Sequence, residues 1–209
     1  MKIERGEASE QASARISGNR TDTKTENLWQ GSVQQSIFRE LLDAFSRPGE
    51  VRDLTLLIEG TTAQRAVLAT LMDGEATLAD PHQKIAIGDW SLLQARRGTP
   101  EAARYVVIDG CRAPDFEPAM GCLESPEFGA TLLIEVTAVG DGPLVIQLNG
   151  PGINGLRVLR LDGLHADWLE QRVDWVASFP LGVDILFFDS KRIVALPRTT
   201  HVGIATGVI

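Results

Sequence analysis

The stretch Phe179-Pro-Leu-Gly-Val-Asp-Ile-Leu-Phe-Phe-Asp-Ser-Lys-Arg-Ile-Val-Ala-Leu-Pro-Arg-Thr-Thr200 reads as a tight turn, a buried strand, a polar reversal and a second apolar run. Ile185–Phe188 and Ile193–Leu196 are the two apolar runs, and Asp189-Ser190-Lys191-Arg192 is the reversal between them. Two such runs around four polar residues predict a hairpin. A hairpin brings its ends together, so Asp184 at one end is expected beside Arg198, Thr199 and Thr200 at the other. Two readings follow for that end. An arginine fork with two hydroxyls can grip a phosphate or carboxylate, or Asp184 and Arg198 can simply form an ion pair that locks the hairpin.

Upstream, His165–Ser178 is expected to be a helix with Leu169, Val173 and Val176 inward. Trp168 and Trp175 lie seven apart on one face of it, which points to packing or to a subunit interface. Leu156–Leu161 reads as a strand. Ala130–Val139 is the strongest strand signal, and Gly140-Asp-Gly142 is expected to fold it back onto Leu144–Leu148. Tyr105–Ile108 is a short buried strand, whereas Cys111–Gly129, broken by Pro114, Pro118 and Pro126, is irregular. Nearer the N-terminus, Ile85–Ile87 reads as a strand and Ser91–Arg97 as a helix. Gly60-Thr61-Thr62 opens a helix that buries Val67, Leu68, Leu71 and Met72. A further helix begins with a capping box, Ser32-Val-Gln-Gln35, carries Phe38, Leu41, Leu42 and Phe45 on its apolar side, and stops at Arg47-Pro48-Gly49. Residues 1–29, with little to bury, are expected to be a flexible arm ahead of one domain over 30–209. Strands mixed with helices and late hairpins predict an α/β fold with a mixed sheet.

The composition excludes several functions. A net charge of −8 argues against general nucleic-acid affinity. There is no apolar run long enough to span a membrane and no leader-like segment, so a cytoplasmic location is expected. Cys111 and Cys122 lack the spacing of a metal or redox pair, and His82, His165 and His201 lack ligand spacing, so no metal is expected. Gly150-Pro-Gly-Ile-Asn-Gly155 matches the dinucleotide fingerprint formally, but the short Leu156–Leu161 run follows it in place of a helix, so a turn on a sheet edge is expected.

Five fragments carry a resemblance. They are Phe38-Arg-Glu-Leu-Leu-Asp-Ala-Phe-Ser-Arg-Pro-Gly49, Pro126-Glu-Phe-Gly-Ala-Thr131, Gly150-Pro-Gly-Ile153, Phe179-Pro-Leu-Gly-Val-Asp184 and Leu196-Pro-Arg-Thr-Thr200. In this order and spacing the chain, from about Gln30 to His201, resembles the H-subunit (PhnH) family of bacterial carbon–phosphorus lyase systems. The resemblance implies a single-domain three-layer α/β/α sandwich like the large domain of pyridoxal-phosphate-dependent transferases, and a tendency to homodimerise. It also implies assembly with G, I and J subunits into a core complex. In that system adenine is displaced from ATP by methylphosphonate to give alpha-D-ribose 1-methylphosphonate 5-triphosphate. Under it, Asp184, Arg198, Thr199 and Thr200 remain the candidate ligand-binding residues, and no catalytic residue is singled out. A pyridoxal enzyme needs a Schiff-base lysine. Lys2 and Lys24 are in the arm, Lys84 is read at a strand start and Lys191 at a hairpin tip, so no cofactor is expected. The expected role is therefore a complex subunit without a complete active site, or alternatively a non-catalytic scaffold whose exposed faces, Trp168 and Trp175 included, dock its sister subunits.

Overall fold

The computed structural model describes residues 27–204, and the arm expected over 1–29 falls almost wholly outside them. Its last residues, Asn27–Trp29, form a 3-10 turn whose Leu28 is buried in the core. The centre of the molecule is a seven-stranded mixed sheet in the order β1-β11-β10-β7-β4-β2-β3. Its members are β1 (Arg52–Asp53), β2 (Thr77–Ala79), β3 (Arg96–Arg97), β4 (Tyr105–Asp109), β7 (Thr131–Glu135), β10 (Asp184–Phe188) and β11 (Arg192–Leu196). Strands β3, β2, β4, β7 and β10 run parallel, whereas β11 is antiparallel to both β10 and β1. The expected hairpin is thus present, with Ile185 opposite Leu196 and Phe188 opposite Ile193.

Strict alternation along these strands creates two cores. Val107, Leu133, Leu186, Phe188, Ile193 and Ala195 face one side, and Val106, Ile108, Leu132, Ile134, Ile185, Phe187, Val194 and Leu196 the other. Strands covered on both faces must be apolar throughout, which is how these four read. Helices α1 (Gly31–Ser46), α2 (Ala63–Leu71) and α3 (Ile87–Leu93) accompany the first face. The other face is covered by a three-stranded sheet, β12-β8-β9, together with helix α4 (Asp167–Trp175). Here β8 is Ala138–Asn149, β9 is Arg157–Asp162 and β12 is His201–Ile204. A small ribbon, β5 (Met120–Cys122) with β6 (Ser125–Gly129), lies within the segment expected to be irregular.

Several local expectations change. The Ala130–Val139 run is cut at Val136-Thr137, where the chain leaves the large sheet: Val136 N–H donates to Phe188 O and Thr137 N–H to Asp162 O. Gly140–Gly142 is consequently not a reversal. It sits inside β8 as an irregularity, and the hairpin joins β8 to β9 through the Gly150–Gly155 turn. Ile85–Ile87 is not a strand, because the Asp80 carboxylate accepts from Lys84 and Ile85 N–H and turns the chain into α3. Accordingly Ser91–Arg97 holds only the end of that helix and β3. The Ser32 capping box is absent, since the N-cap of α1 is Gln30 and Ser32 lies within the helix. That helix buries Ile37, Leu41 and Ala44, leaving Phe38 and Leu42 exposed.

Helix α2 starts as expected, with Thr62 Oγ1 accepting from Arg65 N–H at 3.3 Å. Replacing Thr62 with Ala should lower stability by about 1 kcal/mol in urea unfolding, with Ser retaining most of it. A Thr62→Ala variant as stable as the parent would show the cap to be inert.

Candidate functional site

Helix α4 carries the largest revision. Trp168 and Trp175 are 0% and 3% exposed, so neither can be part of a docking surface. Their rings lie 6.1 Å apart, and Phe116 meets Trp168 edge-on at 6.0 Å. Trp168 Nε1 donates to Arg112 O and Trp175 Nε1 to Glu117 Oε2, so the 112–117 segment is laid across the helix. Val173, expected inward, is 61% exposed. The inward stripe is instead Trp168, Leu169, Arg172 and Trp175. The spacing of Trp168, Arg172 and Trp175 at i, i+4 and i+7 was the available signal that an arginine faces inward.

Asp184 and Arg198 do meet. Arg198 Nη2 lies 2.7 Å from Asp184 Oδ2, Nε bridges both carboxylate oxygens, and the backbone N–H of Arg198 donates to Oδ1 at 2.8 Å. Arg198 Nη1 donates to Pro126 O and Pro180 O at 2.9 and 3.1 Å. The guanidinium therefore ties together the β6 ribbon, the Phe179-Pro180 turn with its cis peptide, and the first residue of β10. Only a single Nη2 hydrogen is left for a ligand, so the geometry is first of all that of a locking ion pair. The turn demands glycine: Gly182 has φ +132, and a Cβ there would sit 2.6 Å from Trp175 O. Gly129 is as constrained, with Arg198 nitrogens 3.0 Å from where its Cβ would be.

Thr199, half-buried, and Thr200, buried, follow along the wall of an open cleft of about 690 Å³ between α4 and the 197–202 segment. Val173, Val176 and Phe179 supply apolar wall, and Arg172, Arg198 and His201 supply the basic groups. Arg172, missed in the sequence reading, is 2% exposed and donates from Nη2 to Pro197 O and Thr200 O at 2.8 and 3.0 Å. Burial pulls its guanidinium down to about 10, against the opposing charge of Asp184. No carboxylate forms an ion pair with it among the described residues.

At the opposite, carboxyl end of the parallel strands, where open α/β sheets commonly bind ligands, Lys84 Nζ lies 2.6 Å from Glu135 and 3.7 Å from Asp109. The hydrogen bond to Glu135 holds the ammonium above its ordinary range against the cost of burial, with Asp109 adding to it. A charged lysine is the wrong form for a Schiff base, and Lys191 is exposed on the β10–β11 reversal. The described lysines therefore do not suit pyridoxal phosphate, and no step is assigned to that cofactor. Asp109 N–H donates to His82 Nδ1, which places the proton of the neutral ring on Nε2. Among the described residues no cluster of His, Cys, Asp or Glu is arranged to hold a metal ion, and no helix is long and apolar enough to cross a membrane. Cys111 and Cys122 are both free and exposed.

The structure thus defines a mixed α/β domain with an ion-paired corner and an adjoining cleft that arginines line. The chain belongs to the PhnH family of bacterial phosphonate metabolism proteins, whose profile matches residues 27–203. It is 41% identical over 177 residues to the putative C-P lyase subunit protein HtxG of Stutzerimonas stutzeri, covering 85% of this chain and 89% of that one. It is 31% identical over 177 residues to the alpha-D-ribose 1-methylphosphonate 5-triphosphate synthase subunit PhnH of Rhizobium meliloti strain 1021, covering 79% and 88%.

Proposed function

We propose that this chain is the H-type subunit of a carbon–phosphorus lyase system, contributing to the formation of alpha-D-ribose 1-methylphosphonate 5-triphosphate from ATP and methylphosphonate with release of adenine. The observation that carries the reading is the extent of the likeness: two relatives named as subunits of this system are matched over nearly their whole length. On this reading residues 30–209 are the PhnH domain, its partners are G, I and J subunits, and it works as a homodimer in the cytoplasm. The mixed sheet covered on both faces is compatible with descent from the large domain of pyridoxal-phosphate transferases, with the cofactor lost. Asp184 and Arg198 hold the corner, and Thr199 and Thr200 are the hydroxyls it offers to a ligand or to a partner's active site.

A scaffold role is the alternative, favoured by the exposed Phe38 and Leu42 on α1. Reconstitution separates the two. Adenine release from ATP and methylphosphonate is measured with all subunits, with this chain omitted, and with Thr199→Val restored. Omission should abolish release under either reading. Thr199→Val should slow it while the complex still assembles; an unchanged rate favours the scaffold, and release without this chain contradicts both.

A further inference from the structure

The cleft beside α4 is lined by arginines, although the chain as a whole is acidic. The protein carries a net charge of −8, yet this cleft is lined by Arg172, Arg198 and His201 and by no carboxylate. Arg198 is neutralised by Asp184, whereas Arg172, although the Asp184 charge acts on it, forms no ion pair with an acid among the described residues. Among the described residues two buried polar atoms at this wall have no hydrogen-bond partner: Arg172 Nε and Thr200 Oγ1. Both residues are almost fully buried, at 2% and 1% exposure. Unpartnered buried polar atoms are rare in native proteins and call for an explanation, and a buried charge without a counter-ion is costly. Burial lowers the basicity of Arg172, and the Asp184 charge offsets that only in part. Val173 and Phe179, 61% and 66% exposed, line the same cleft together with Pro151. An acidic head against an arginine and a threonine, with an organic body against apolar walls, accounts for all of these features.

We infer that the Arg172–Thr200 cleft is a binding site for an organic oxyanion, its phosphoryl or carboxylate head directed at Arg172 and Thr200 and its apolar part resting on Val173, Val176 and Phe179. The inference stands whether or not the chain serves in a lyase complex. A purely structural Arg172, present only to hold the carbonyls of Pro197 and Thr200, would leave the cleft without affinity for acids.

The test is calorimetric titration of the full chain, in low-salt buffer free of phosphate, with phenylphosphonate, benzoate and uncharged benzyl alcohol. At least one acid should bind at one site, and benzyl alcohol should bind more weakly. Arg172→Met and Thr200→Val should weaken that binding. Arg172→Met also removes two structural hydrogen bonds, so the deciding variant is Val173→Glu, at a position that is 61% exposed. It should fold as the parent does and weaken the acid by at least about tenfold, through like-charge repulsion, while Val173→Lys strengthens it. Tighter binding of phenylphosphonate identifies a phosphoryl ligand and tighter binding of benzoate a carboxylate. Failure of both acids to bind the parent chain, or Val173→Glu binding as tightly as the parent, overturns the inference.

Discussion

Replacing Asp189 with alanine is expected to lower the unfolding free energy by about 3 kcal/mol, mainly because the backbone N–H groups of Val139, Lys191 and Arg192 lose their acceptor. Asp189 is 6% exposed at the turn of the β10–β11 hairpin. Its Oδ1 accepts from the backbone N–H of Lys191 and of Arg192, each at 2.8 Å. Its Oδ2 accepts from Val139 N–H at 3.0 Å and from Arg192 Nε at 2.8 Å. One carboxylate thus shapes the reversal and fastens the large sheet to β8. Burial alone would raise its pKa, but the hydrogen bonds from Lys191, Val139 and Arg192 outweigh that and lower it. A depressed folded-state pKa means that the contribution is fully present above the ordinary carboxylate value and is lost as pH falls through the folded one. Urea unfolding from pH 7 downward should therefore show the parent losing stability in acid. Asp189→Asn should be less stable at pH 7 and approach the parent as pH falls. A neutral variant with the parent's stability at pH 7 would show that the charge contributes nothing.

Replacing Arg198 with methionine should cost about 3 kcal/mol, because Asp184 and two carbonyls lose their donor. The side chains of Arg198 and Asp184 are 14% and 23% exposed, so solvent can compensate only in part. Arg198→Lys should not recover the loss, since one ammonium cannot span Asp184, Pro126 and Pro180 as the planar fork does. The double variant Asp184→Asn with Arg198→Met should be more stable than the sum of the single changes predicts, the two sites sharing one network. Thermal unfolding of the four proteins measures this. Strict additivity would mean that the pair is not coupled.

The central strands were legible because their faces are both buried: Tyr105–Ile108, Ile185–Phe188 and Ile193–Leu196 are near-continuous apolar runs, and all three form. Proximity of Asp184 and Arg198 followed from hairpin geometry alone. What could not be read were tertiary choices. Val136 and Thr137 look like strand interior, yet the chain changes sheets there, guided by acceptors on Phe188 and Asp162 that are distant in sequence. Ile85–Ile87 has strand composition, but the Asp80 carboxylate captures the amides of Lys84 and Ile85 first. On α4 Leu169 is buried as expected but Val173 is not, because Trp168 and Trp175 contribute far more area to the core. That misplaced stripe hid Arg172, and with it the polar floor of the cleft.

Growth tests the central claim most directly. The gene for this chain is deleted in its own host, and the strain is supplied with methylphosphonate or inorganic phosphate as the sole phosphorus source. The account predicts loss of growth on methylphosphonate, normal growth on phosphate, and recovery when the chain is restored. Undiminished growth of the deletion strain on methylphosphonate would contradict it.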